Sequence, residues 1–464
     1  MPGVPSSRGC EACRKVKKKC DQAKPSCSRC TRLEIPCVGS GQKRYKFIKE
    51  QKAVVRRDAG QVQKDHTTLF LESLRQIPSN EITLMGGSLV SLLNVEDVRY
   101  DVSYYGPFLG QIPKYLGTNK ALDSAVGALT HTFTALHTNQ LSREAYTSFG
   151  KALKNLRTTL LDPEQGRSVS TMCAIYLIMV CEGWLTVPGE TPVNHGEAMM
   201  HIMNTVVYKD NMGTFESQLL YTLAIPVIME SVFNPKIKLS PWLDTLIERC
   251  PPPRRNVKDE SGKPFDSMNL RNLSRYPVLL KHPEHHYYEI LSAYEQFKID
   301  FVRIEEHLLK FELESTVSTS ANTVRMLSRF QAAYCMILGL AFILNKILRA
   351  YNPGNDALEA ESLVFFERVM EISRQSLQYR PIGACFLPVC MAFLWVASDD
   401  EDQLDQIQSL LITYQPQFAM ITWVDESRDI RGMFHTVLGR IETPERAISS
   451  SGDSDTLSEL TYLS

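Results

Sequence analysis

Six cysteines crowd into residues 10–37, CEACRKVKKKCDQAKPSCSRCTRLEIPC. Their spacing is C-x2-C-x6-C, six residues, then C-x2-C-x6-C again, so Cys10, Cys13 and Cys20 are repeated by Cys27, Cys30 and Cys37. Clustered thiolates at C-x2-C spacing are soft metal ligands: the pair places two sulfurs on one ion as the chain turns into a helix. The x6 gap then returns a third sulfur. Five of the six residues between Cys13 and Cys20 are basic: Arg14, Lys15, Lys17, Lys18 and Lys19.

Structural zinc takes four ligands in a tetrahedron. Each repeat offers three. A single four-cysteine site leaves two sulfurs spare, whereas two ions need eight ligand positions from six thiolates, so two sulfurs must bridge. The repeat makes one bridge from each half natural, Cys10 and Cys27. Two zinc ions against six thiolates leave a cluster of about −2, and neighbouring Lys and Arg favour the thiolate form. A three-disulfide knot and a single-zinc ribbon are the competing readings. The regular repeat favours zinc, as does the reducing compartment expected of an N-terminus, MPGVPSSRGC, with no apolar signal core.

The elements that must hold these groups follow. EACRKVKKK and SRCTRLEI each make one to two turns of helix, and DQAKPS, with Pro25, makes the connecting loop. Arg14, Lys15, Lys17, Lys18 and Lys19 are expected together on the first helix. The stretch resembles the fungal-type Zn2Cys6 binuclear cluster DNA-binding domain. The matching residues are Cys10, Cys13, Arg14, Lys17, Lys19, Cys20, Asp21, Pro25, Cys27, Cys30 and Cys37. Val16 departs from it, standing where the family often has Lys or Arg. The resemblance implies two Zn2+ per chain, with Cys10 and Cys27 bridging. It implies that Lys17, assisted by Lys18, reads CGG-type triplets in the major groove. Arg14, Lys19, Arg29 and Arg32 are expected on phosphates, which give affinity and salt dependence without sequence information.

Charge supports a polyanion partner for the head alone. Residues 1–60 carry 16 Lys/Arg against 5 Asp/Glu, a net +11, and residues 61–464 carry 35 against 47, a net −12. Residues 1–9 are expected to be a disordered tail, 10–37 the DNA-binding domain and 38–65 a basic linker. In that linker Lys43, Arg44, Lys46 and Lys49, with Tyr45 and Phe47, suit backbone tracking or nuclear import. No clean heptad seam runs through Val54, Val55, Val62, Leu69, Leu71 and Leu74, so a homodimer through this region stays open.

From residue 66 to 441 helical periodicity replaces everything else, predicting one all-α regulatory domain of roughly ten to fourteen helices. In REAYTSFGKALKNLRTTLLD, Tyr146, Phe149, Leu153, Leu156 and Leu160 share a face expected to pack inward. STMCAIYLIMVCEGWL is apolar nearly all round and should be buried, whereas TVRMLSRFQAAYCMILGLAFILNKILRAY alternates apolar and charged faces. The uncharged run 381–398 is broken by Pro381, Gly383 and Pro388, and reads as a buried helix with no membrane role. Cys173, Cys181, Cys250, Cys335, Cys385 and Cys390 read as core residues. The segment from Ala145 to about Val207, including HGEAMMHIM, is similar to the fungal-specific transcription factor regulatory domain.

No nucleophile elbow, P-loop, dinucleotide fingerprint or H-E-x-x-H motif is present, so an enzyme is not expected. His282, His285 and His286 read as a solvated helix start, His195 and His201 as ordinary helix residues, and Met199, Met200 and Met203 as core. A small-molecule effector and coregulators remain open partners. Residues 442–464 are expected to be a disordered acidic, Ser-rich tail, in which Leu457, Leu460 and Leu463 among acidic residues suit an activation segment or plain solvation. The expected function is a nuclear DNA-binding RNA polymerase II transcription regulator, controlling a fungal secondary-metabolite gene cluster by family association. The alternatives are a catabolic or nutrient regulator, or a corepressor that has lost specific DNA binding.

Overall fold

A computed structural model describes residues 9–38, 80–140, 142–185, 195–210, 212–250, 265–317, 320–415 and 423–442. The basic linker, the heptad search region, the loop after Leu185, most of CPPPRRNVKDESGKPFD, residues 1–8 and residues 443–464 lie outside this set. The chain divides into two compact units, residues 1–77 and 78–464.

Among its described residues the first unit has two five-residue helices, α1 (Glu11–Lys15) and α2 (Ser28–Arg32). Helices this short do not stand alone in water. What fixes them is sulfur: Cys10, Cys13, Cys27 and Cys30 are fully buried and form a small core of their own, with Cys20 and Cys37 packed against it. α1 stops at Lys15, so Lys17, Lys18 and Lys19 are not on the helix as expected. They follow it on a turn.

The second unit is helical throughout its described residues. Its helices are α3 (Glu81–Leu93), α4 (Lys120–Thr138), α5 (Arg143–Leu160), α6 (Val169–Leu185), α7 (Gly196–Val206), α8 (Thr214–Ser231), α9 (Trp242–Arg249), α10 (Leu270–Leu273), α11 (Tyr276–Lys281), α12 (Tyr287–Val317), α13 (Ala321–Tyr351), α14 (Asp356–Gln375), α15 (Leu387–Ala397), α16 (Glu401–Tyr414) and α17 (Trp423–Glu442). Side-chain caps set many of the starts: Asn119, Ser142, Ser320, Asn355 and Asp400 each accept a backbone N–H of the first turn. α4, α5 and α6 pack together, and their inner faces are lined by small residues such as Ala121, Ala125, Ala128, Ala145, Ala152 and Ala174, which let backbones approach closely. Asn119 ties the start of α4 to that of α6 through Thr171, at 3.1 Å.

α12, α13 and α14 form the second half of the core. Fully buried Asn345 on α13 donates to the Tyr294 hydroxyl of α12 at 2.9 Å and to the Leu358 carbonyl of α14 at 2.8 Å. Tyr294 in turn donates to Glu361. Phe301 stacks on Tyr334 at 5.5 Å. From Tyr334 to Leu348 α13 is buried nearly all round, which departs from its expected two-faced pattern. It is the one described helix long and apolar enough to cross a membrane, and 78% of that apolar window lies inside the protein, as in the core helix of a folded domain. The run 381–398 is a turn followed by α15, whose eleven residues are mostly buried.

One further face and one segment differ from the sequence expectation. Tyr146, Leu153 and Leu160 of α5 are 42%, 44% and 47% exposed, while the buried residues of that helix are Ala145 and Ala152. Phe149 and Leu156 of the same face are half-buried against the core, so only part of the expected stripe packs inward. Residues 265–286 break into the short helices α10 and α11 with 3₁₀ turns, raising the helix number above that expected. Pro277 is the second residue of α11, and Pro283 begins the 3₁₀ turn that follows it.

Candidate metal centre and nucleic-acid interface

The six sulfurs converge. Cys10, Cys13, Cys20 and Cys27 form one group with all Sγ atoms within 4.8 Å of one another; Cys10, Cys27, Cys30 and Cys37 form a second. Cys10 and Cys27 belong to both. The Sγ separations are 3.8 Å for Cys10–Cys27 and Cys13–Cys27 and 3.5 Å for Cys10–Cys30. A zinc tetrahedron with bonds of about 2.3 Å has sulfur–sulfur edges of about 3.8 Å. The donor set and its spacing therefore fit zinc, and all six cysteines are free thiols, none in a disulfide.

The scaffold repeats with the ligands, at an offset of 17 residues. The Cys10 N–H donates to Cys20 Sγ at 3.4 Å, and the Cys27 N–H to Cys37 Sγ at 3.3 Å. The backbone N–H of Cys10, then that of Gln22, pushes the Cys20 thiol down to about 7. The Cys27 N–H lowers Cys37 likewise. Burial raises the Cys30 thiol, because desolvation disfavours its thiolate. Arg29 is half-buried and donates to Cys13 Sγ at 3.9 Å. Asp21 braces the two halves: its carboxylate accepts from the Ser28 N–H at 3.2 Å and from the Ser28 hydroxyl, and those bonds hold it below the ordinary carboxylate range.

Both helices end alike. The Lys17 N–H bonds to Arg14 O at 3.1 Å and the Lys18 N–H to Cys13 O at 2.9 Å; seventeen residues on, Glu34 bonds to Thr31 O at 3.3 Å and Ile35 to Cys30 O at 3.1 Å. These are paired Schellman caps. Each places one residue in the left-handed region, Lys17 at φ 50° and Glu34 at φ 49°. Glycine is the cheap choice there, and an L-residue with a side chain costs about 1 kcal/mol more. The first repeat places a lysine at this position and the second a glutamate. Nothing in the sequence marks either residue, because neither is Gly or Asn.

The charge that follows the caps is one-sided. Lys15, Lys17, Lys18, Lys19 and Arg32 are exposed and Arg14 is half-buried. The second repeat has Leu33, Glu34 and Ile35 where the first has Val16, Lys17 and Lys18. One end of a twofold scaffold is thus basic and the other mixed, which gives a single face for a polyanion. Val16 is half exposed beside Lys17.

Elsewhere, Met199, Met200 and Met203 are buried in the core. His195 lies just before α7 and contacts Glu182 at 3.0 Å. His282 and His286 sit near Glu284 and Glu289 at the start of α12, and no third ligand joins them among the described residues. Five of the six scattered cysteines are buried and Cys385 is half-buried, all of them free thiols.

No curated protein and no solved structure matches the chain. Residues 8–46, which include all six clustered cysteines and the basic turn, match the family described as the fungal Zn(2)-Cys(6) binuclear cluster domain, so this chain carries a zinc-binding, DNA-binding domain of the transcription-factor type.

Proposed function

We propose that this protein is a sequence-specific nuclear transcription regulator whose head is folded by two Zn2+ ions. Cys13 and Cys20 hold one ion, Cys30 and Cys37 the other, and Cys10 and Cys27 bridge. The observation that carries the reading is the pair of four-sulfur groups sharing Cys10 and Cys27. Bound zinc supplies positive charge and the four-way tether that orients the two short helices.

Lys17 is the proposed base reader, with Lys18 beside it. The Schellman cap lifts Lys17 off the end of α1, and a lysine kept in a left-handed conformation points to a role for its side chain. Its ammonium suits guanine O6 and N7, as in a CGG-type triplet. Lys19, Arg14 and Arg32 are proposed on phosphates. Arg29 is better read as a partner of the cluster, since it reaches Cys13. The helical unit is proposed to regulate the head. Its proposed target genes, those of a secondary-metabolite cluster, rest on family resemblance alone.

Fluorescence anisotropy on CGG-containing and scrambled duplexes at one fixed salt concentration tests the reading. The expected preference for CGG is at least about a hundredfold, lost on chelation. Equal binding to both duplexes would remove sequence reading and leave an interaction protein.

A further inference from the structure

We propose that the outer face of α5 is the docking surface for the chain's own acidic, leucine-bearing segment, residues 453–463. Tyr146, Leu153 and Leu160 recur every seventh residue and so form one stripe, each more than two-fifths exposed, with the Tyr146 hydroxyl donating to the Leu185 carbonyl at 3.0 Å; Leu161, just past the helix end, is 81% exposed. Basic residues flank the stripe. Arg143 lies three residues before Tyr146; Arg157 lies four after Leu153 and three before Leu160; Lys154 lies three before Arg157. All three are exposed, and among the described residues no carboxylate pairs with them. A basic, apolar helix face on a body whose net charge is −12 calls for an acidic, apolar occupant.

The chain holds one. After Glu442 it runs on through residues 443–464, in which Asp453, Asp455 and Glu459 interleave with Leu457, Leu460 and Leu463. Counting Glu445 and Arg446, that stretch has a net charge of −3, against +3 for α5. Its reach is sufficient: 22 residues extend up to about 70 Å, and a unit of this size has a radius of gyration of about 21 Å. Docked there, the leucines cover the stripe and the carboxylates meet Arg143, Lys154 and Arg157. A segment of this composition suits recruitment of coregulators, so the same contact withholds it until a competitor takes its place.

The test uses the full zinc-loaded chain with a benzophenone amino acid in place of Tyr462. Irradiation is expected to join this position to the 143–161 region. In an equal mixture of light and heavy isotope-labelled protein, each cross-linked pair is expected to carry a single label. Raising salt from about 0.05 to 0.5 M should reduce the yield several-fold. The triple variant Arg143→Glu, Lys154→Glu, Arg157→Glu is expected to lower it at least about fivefold, and adding Asp453→Lys, Asp455→Lys, Glu459→Lys to restore it. Cross-links elsewhere, mixed-label pairs from a second copy, or a yield indifferent to both salt and charge reversal would each overturn the proposal. The salt series needs no variant, so misfolding of the triple variant leaves the test intact.

Discussion

At the scale of single residues, Lys17 and Cys10 make the sharpest claims. Lys17 and Glu34 share one backbone conformation in the two repeats, so substitution by glycine should have the same backbone effect in both. We expect Lys17→Gly and Glu34→Gly each to hold zinc against a chelator at least as well as the parent, since glycine relieves about 1 kcal/mol of left-handed cost. Only Lys17→Gly should lose CGG preference, by roughly 1–3 kcal/mol of discrimination. Equal loss in both variants would show that the cap shape, and not the lysine side chain, matters. The bridging role is tested by metal counting. Cys10→Ala and Cys27→Ala are expected to retain close to no zinc, while Cys13→Ala keeps one ion; equal retention in all three would remove the bridge. The cysteine spacing made the metal chemistry legible in advance. The left-handed Lys17 and the contact of Arg29 with Cys13 were not, because each depends on the folded path of the chain and no composition signal marks it.

At the scale of elements, the helices were legible because their apolar periodicity and polar breaks are strong. Which face packs was less so. In α5 Phe149 and Leu156 pack against the core as read, yet Tyr146, Leu153 and Leu160 stay exposed and the fully buried residues are Ala145 and Ala152, because close helix approach rewards small side chains. In α13 the charged residues lie toward the ends, and the middle is enclosed by its neighbours, so its two-faced reading failed. The polar joint inside this core gives a prediction. Asn345→Ala removes donors to Tyr294 and Leu358 and leaves a void, and should destabilise the helical unit by about 2–4 kcal/mol in urea unfolding followed by circular dichroism. An effect under about 0.5 kcal/mol would mean that the joint is not a support.

At the scale of the whole molecule, the division of charge is the main feature: a net +11 over residues 1–60 and −12 over the remainder. It was readable from composition alone. DNA affinity should therefore fall steeply with salt, and Arg32→Ala should weaken specific and random duplexes alike while reducing the log–log salt slope by about 1. A slope unchanged by that substitution would take Arg32 off the phosphates. The measurement that tests the central claim most directly is a titration of the full chain against CGG-containing and scrambled duplexes, with zinc present, removed by a chelator and restored. The account predicts strong CGG preference with zinc, none without it, and recovery on return of the metal. Binding that ignores both zinc and sequence would contradict it.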